Sequence, residues 1–248
     1  SHDAAALPHP NRCDMPPVGI WYYGGLAQVN AHPQVPEKHN ILSVFGSKKQ
    51  EKHSLHLRRY EFLNEVIGEF GDLISVYGKG FHRVKHKAEA IDSFKYHLAV
   101  ENHIGLHHWT EKLSDAFLGY SLPFYSGCPN AGEYFPEDAF IPIDIRDTKK
   151  AVDTIRAAIA DNAFEKRLPA IIEARRRVIE EYNLGNMIAK HIIEENQRLE
   201  KVPRVPSQIK SRHAIMRSGL LAFLRYAFGK MRARAYNKGY WKEYLARR

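Results

Sequence analysis

Five short apolar runs, spaced along the middle of the chain, most constrain what it can fold into. Ile41–Phe45, Leu73–Tyr77, Tyr96–Val100, Leu122–Tyr125 and Phe140–Asp144 are each bounded by polar or turn-forming residues. Runs of that length, rich in β-branched and aromatic residues, read as buried strands. Between the first two, Leu55, Tyr60, Phe62, Leu63, Val66, Ile67 and Phe70 recur at helical spacing, and Gly71 follows as a stop. Lys87–Phe94 reads as a short helix and Thr110–Tyr120 as another, with longer helices over 148–160, 163–182 and 184–199. Strands alternating with helices call for an α/β fold, a mostly parallel sheet with helices on both faces. Ligands of such sheets bind beyond the carboxyl ends of the strands. The positions of interest are therefore Gly46–Lys49, Gly78–Phe81, Glu101–Thr110 and Ser126–Asn130.

Charge divides the chain further. Its 248 residues carry a net +9, yet Arg198–Arg248 alone carries +12 and residues 1–197 carry −3. A near-neutral body with a cationic tail points to a docking appendage rather than to a nucleic-acid-binding surface. The break falls near Lys201–Pro206, where two prolines interrupt helical patterning. Residues 1–39 hold five prolines before Val35, with Gly19–Gly24 as a candidate short strand. The expected parts are an N-terminal segment 1–39, a ligand-binding domain 40–200 and a basic amphipathic tail 201–248. In the tail, Ile215, Met216, Leu220, Leu221, Phe223, Leu224, Phe228 and Met231 are interleaved with Arg217, Arg225, Lys230, Arg232 and Arg234. That mixture suits an interfacial helix on an anionic membrane, with a helix docked on the body as the competing reading. Polar, proline-containing Ser1–Asn11 does not read as a secretory leader, and no run of about 18 apolar residues spans a bilayer. Cys13 and Cys128 lie too far apart in sequence to suggest a zinc site or a disulfide framework.

The strand ends carry the chemistry. Gly78-Lys-Gly80 has only part of a dinucleotide-binding turn, since Arg83 stands where the third glycine belongs. Lys79 is the strand-end cation of a basic loop that runs through His82, Arg83, Lys85, His86 and Lys87. The third strand delivers Glu101 and Asn102 to its tip, and Thr110 is placed to cap a helix whose first turn holds Glu111 and Lys112. Free N–H groups and the positive end of a helix favour an anion there. Lys112 adds a cation for a phosphate, and Glu111 is able to accept from paired ribose hydroxyls. His103, His107 and His108 lack the further ligands and spacing of a zinc site, so no metal is expected.

These motifs resemble a known family. Tyr96-His-Leu-Ala-Val-Glu-Asn102, Trp109-Thr-Glu-Lys112, Asp115-Ala-Phe-Leu-Gly-Tyr-Ser-Leu-Pro-Phe-Tyr-Ser-Gly-Cys-Pro-Asn130 and Tyr134-Phe-Pro-Glu-Asp-Ala-Phe-Ile141 are similar to the donor-binding half of the α1,3/4-fucosyltransferases, glycosyltransferase family 10. The resemblance runs from about Ile41 to Tyr182. It implies a GT-B architecture whose Rossmann-like domain binds a GDP-sugar, GDP-fucose foremost. It implies transfer to a glycan or lipopolysaccharide acceptor with inversion, and no cofactor or obligatory metal beyond that co-substrate. Position by position, it implies that Glu111 binds the ribose and Lys112 the diphosphate. Glu101 and Asn102 form the Glu-Asn pair beside it, with Asn102 near the diphosphate. Arg59 in Arg59-Tyr-Glu-Phe62 reaches a phosphate, with Arg58 as second choice. Thr110 and the Gly127–Asn130 turn, including Asn130, border the donor. His108 departs from the family's tyrosine, which leaves the donor sugar open. The family's base is an acidic residue of an N-terminal acceptor domain. Residues 1–39 can be only a truncated or minimal form of such a domain, so no base is assigned. The expected setting is bacterial surface polysaccharide synthesis at the cytoplasmic face of the membrane. The alternative is a non-catalytic nucleotide-sugar-binding or membrane-associated scaffold module.

Overall fold

The computed structural model describes residues 21–47, 55–198 and 211–232. Cys13, Lys48, Lys49, the Lys201–Pro206 break and Arg234 lie outside the described residues. The described chain falls into two compact units that divide between Glu194 and Glu195.

The first unit is built on a five-stranded, fully parallel sheet of order β2-β1-β3-β4-β5. Its strands are β1 (Asn40–Ser47), β2 (Ile74–Lys79), β3 (Phe94–Val100), β4 (Leu122–Ser126) and β5 (Ile141–Pro142). The helices are α1 (Gly25–Ala31), α2 (His56–Phe70), α3 (Glu111–Leu118), α4 (Thr148–Ala160), α5 (Ala163–Glu180) and α6 (Leu184–Arg198), whose last residues pass into the second unit. The chain leaves β1 to one side for β2, then crosses to the other side for β3. Right-handed crossovers then place α2 and α3 on opposite faces. The reversal between β1 and β3 opens a crevice at their carboxyl ends, where sheets of this kind bind ligands.

Burial follows strand position. All of β4 and nearly all of β3 are buried, whereas the edge strand β2 is mostly half-exposed. Tyr96, Phe124 and Phe164 stack into the core beneath α4 and α5. Trp109, Phe117, Phe135 and Tyr182 form a second aromatic cluster under α3. At the top of the sheet Gly46 pairs with Gly78, whose φ is +118°. A Cβ on Gly78 would lie 2.3 Å from the Gly46 carbonyl oxygen.

Three sequence expectations change. Residues 21–24 of the Gly19–Gly24 run form no strand. Asp115 takes the Tyr22 amide at 2.8 Å and Asp92 takes the Tyr23 hydroxyl, so side chains of the body fasten this segment in place of a neighbouring strand. Of the Lys87–Phe94 helix only a 3-10 turn, Lys87–Ala90, forms. Ser121 Oγ lies within hydrogen-bond distance of the Ile91 and Phe94 carbonyl oxygens, at 3.0 and 2.7 Å, where the chain turns from the 3-10 turn into β3. The last strand shrinks to two residues, Ile141–Pro142, although the Ile143 amide still donates to the Tyr125 carbonyl of β4 at 2.8 Å.

The second unit is described by itself. Ser211 caps α7 (Arg212–Arg217) through the Ala214 amide at 3.2 Å, and residues 220–232 form a further helix. Among the described residues no helix is long and apolar enough to cross a membrane.

Candidate active site

The crevice between β1 and β3 holds a cavity of about 190 Å³, lined by Phe45, Arg59, Lys87, Ile91, His97, Leu98, Val100, Glu111, Lys112 and Asp115. Three cations reach it from three different segments: Arg59 from α2, Lys112 from the first turn of α3, and Lys87 from the link between β2 and β3.

The α3 end is the most closely built. Thr110 is its N-cap, with Oγ1 accepting from the Lys112 amide. Glu101, at the tip of β3 and almost fully buried, accepts from the Thr110 amide at 2.8 Å and from its hydroxyl at 2.7 Å. Lys112 Nζ lies 3.4 Å from Glu101 and 2.8 Å from Glu111. Burial pushes the Glu101 carboxyl above its ordinary range, opposed by Lys112 and Thr110. Burial acts on Glu111 in the same direction, but its pairing with Lys112, aided by Lys87, wins and holds it below the ordinary value. Glu101 thus orients the cap and the lysine from behind, while half-exposed Glu111 stands at the cavity. Gly127 explains how β4 approaches so closely: a Cβ there would meet Glu101 Cγ at 2.4 Å.

The carboxyl end of the same helix is also fastened. Lys38 Nζ donates to the Gly119 carbonyl at 2.6 Å, and buried Arg175 donates from Nε to the Leu118 carbonyl at 3.2 Å. Cations at the last carbonyls complement the helix dipole. Burial lowers Lys38 to about 7, and nearby Asp92 opposes that.

Arg59 bonds Asn102 through Nη1, joining α2 to the loop after β3. Burial draws its guanidinium below the usual value, against the pull of Glu101 and Glu111. Arg58 turns away, donating to Thr148 at 2.6 Å and pairing with Glu65 at 3.2 Å. The cavity therefore receives Arg59 and not its neighbour.

The structure brings Arg59, Glu101, Asn102, Thr110, Glu111 and Lys112 together around the crevice. Three other residues singled out from the sequence stand apart from the cavity wall. Lys79 ends the edge strand with its side chain exposed. His108 packs edge-on against His103, with ring centroids 4.8 Å apart. Asn130 accepts from the His107 amide at 2.8 Å and donates to Glu133 at 2.9 Å, pinning the 103–108 loop where His107 takes a φ of +59°. The cavity also holds residues that strand-end reasoning passed over. Lys87 pairs with buried Asp115 at 2.8 Å. His97 Nδ1 lies 2.8 Å from Ser43 Oγ, and burial, with Lys87 and Lys38 nearby, lowers the imidazole to about 3. The signal for Lys87 was present in the basic loop, but its side-chain direction was not.

Residues 35–164, just over half of the chain, match the glycosyltransferase family 10 (fucosyltransferase) C-terminal domain. An α-(1,3)-fucosyltransferase of Helicobacter pylori is 32% identical over 76 residues, which cover 30% of this chain and 16% of that protein. The 4-galactosyl-N-acetylglucosaminide 3-α-L-fucosyltransferase 9 of Homo sapiens is 30% identical over 128 residues, covering 48% of this chain and 34% of that protein. The chain thus spans about a third or less of the length of these relatives. A crystal structure of an α1,3-fucosyltransferase with GDP-fucose superposes with a TM-score of 0.51 at 20% identity, covering 73% of this chain and 53% of that one. That likeness shows the fold, a GT-B-type Rossmann-like domain. On the match across residues 35–164, the chain belongs to glycosyltransferase family 10.

Proposed function

We propose that this chain supplies the donor site of an inverting glycosyltransferase that moves a sugar, fucose, from a GDP-sugar to a glycan. One observation carries the reading. A helix N-terminus bearing Glu111 and Lys112 meets Arg59 in the cavity at the sheet's switch point. Backbone N–H groups and two cations suit a diphosphate, and Glu111 suits the ribose diol. In the reaction, the bond from the anomeric carbon to the β-phosphate oxygen breaks and its electron pair leaves with GDP. The acceptor hydroxyl oxygen bonds the same carbon from the opposite face, and its proton passes to a base that is not assigned. Charge grows on the leaving phosphate as this happens. Arg59 and Lys112 stabilise it electrostatically, so no metal or further cofactor is required in this proposal.

Calorimetry with GDP and GDP-fucose tests the site. Both bind, and Lys112→Ala weakens them at least tenfold, the scale of one charge-assisted hydrogen bond. Absence of binding at millimolar concentration, or an unchanged affinity in the variant, refutes it.

The tail supports a second part of the proposal, peripheral contact with the inner face of a bacterial membrane during synthesis of a surface polysaccharide or lipopolysaccharide. On the 220–232 helix, Leu220, Leu224, Phe228 and Met231 recur on one face and are all exposed. At helical spacing, Arg225 and Arg232 border one edge of that face and Lys230 the other. An apolar face flanked by cations is the pattern of a helix lying in an anionic interface.

A further inference from the structure

We propose that Lys87 is a third cation for the donor's diphosphate and that Asp115 is its positioning residue. This rests on the donor reading above and extends it. Lys87 reaches the cavity from the turn before β3 and lines it together with Arg59 and Lys112. Its ammonium is restrained on three sides: Asp115 Oδ2 lies at 2.8 Å, and the Tyr22 and Phe45 ring centroids each lie 5.3 Å away. Among the described residues its hydrogen bond is to Asp115 alone. An ammonium has three N–H donors, so two remain once Asp115 is served. The rings hold the charge in place without using either.

A buried ion pair is often replaceable by apolar side chains without loss of stability, so stability alone gives little reason to keep one. Here only the carboxylate is enclosed. Asp115 is 1% exposed, while Lys87 keeps 23% of its side chain accessible on the cavity wall. Asp115 also accepts the Tyr22 amide at 2.8 Å, which fixes the carboxylate that aims the lysine. The result is a cation with a set direction and, among the described residues, two donors beyond the one Asp115 takes, near the Glu111 carboxylate and on the cavity that Arg59 and Lys112 also line. Anionic oxygens of a nucleoside diphosphate are the ligand chemistry that three such converging cations fit.

The test is calorimetry on the full chain with GDP and with guanosine. Lys87→Met is expected to weaken GDP about tenfold and to leave guanosine unchanged, and Lys87→Arg is expected to stay within about threefold of the parent. Asp115→Asn, which frees the ammonium without removing it, loses about threefold on GDP and nothing on guanosine. Should Lys87→Met fail to fold around its orphaned carboxylate, Lys87→Met/Asp115→Asn removes both charges and should show the same GDP-selective loss. Parent-like GDP affinity in either Lys87→Met protein overturns the proposal. So does an equal loss for GDP and guanosine, which would mark the pair as structural. A parent chain that binds no GDP overturns the donor reading itself.

Discussion

His97 lies wholly inside the first unit, and burial lowers its imidazole to about 3 from an ordinary 6.5. The unfolded chain therefore binds the proton more readily between those values. The stability His97 contributes is complete above pH 6.5 and is lost as pH falls toward 3. Glu101 and Asp115 have raised values, so their contributions change in the opposite sense across acid pH. A single-site comparison separates these opposing terms. Urea unfolding of His97→Gln is expected to show about 2 kcal/mol less stability loss than the parent between pH 6.5 and 5. An unchanged slope would mean that the imidazole is not held neutral. Single residues also mark the limit of what the sequence makes legible. Glu101, Thr110, Glu111 and Lys112 were readable because an N-cap and a strand tip fix side-chain positions locally. Lys79 and Lys87 belong to one basic loop, and nothing local distinguishes the lysine exposed on an edge strand from the one turned inward. Asp115, 28 positions from Lys87 and 93 from Tyr22, becomes meaningful only when both are folded against it.

Among the elements, α3 carries the site, and its stability depends on its cap. Thr110→Ala removes the acceptor for the Lys112 amide and the hydroxyl that Glu101 holds. A lost cap costs about 1 kcal/mol. Here the loss of the buried Glu101 bond adds to it, so chemical denaturation should register more than that figure, with GDP affinity falling alongside. Thr110→Ser should recover most of both. The strands were legible because a parallel sheet buries both faces and leaves continuous apolar runs in the sequence. Short elements were not. The 3-10 turn at Lys87–Ala90 ends at Ile91, whose carbonyl meets Ser121 Oγ from 30 positions away. β5 is only two residues long, and α1 is a seven-residue helix with no side-chain cap.

At the scale of the whole molecule, the two units carry different physics. The first has a buried aromatic core and a cavity, and the second exposes Leu220, Leu221, Leu224 and Phe228 beside its cations. Removing residues 203–248 is expected to abolish sedimentation with vesicles rich in anionic lipid and to leave GDP binding intact. Each cation near such a surface contributes about 1 kcal/mol, so raised salt should weaken the full chain's attachment. Full retention of vesicle binding by the truncated chain would rule out the anchor. The charge asymmetry that suggests this division is plain in the sequence. The fastening of the carboxyl end of α3 is not, because it draws on Lys38 and Arg175 from two distant stretches. A rod about 12 Å long, pegged at both tips by buried groups, has little freedom to slide or pivot. On the proposed reading, its two forward side chains would keep a constant bearing on a bound nucleotide. A shift in sugar preference within this lineage would then come from exchanging side chains around a stationary frame, not from re-angling the frame itself.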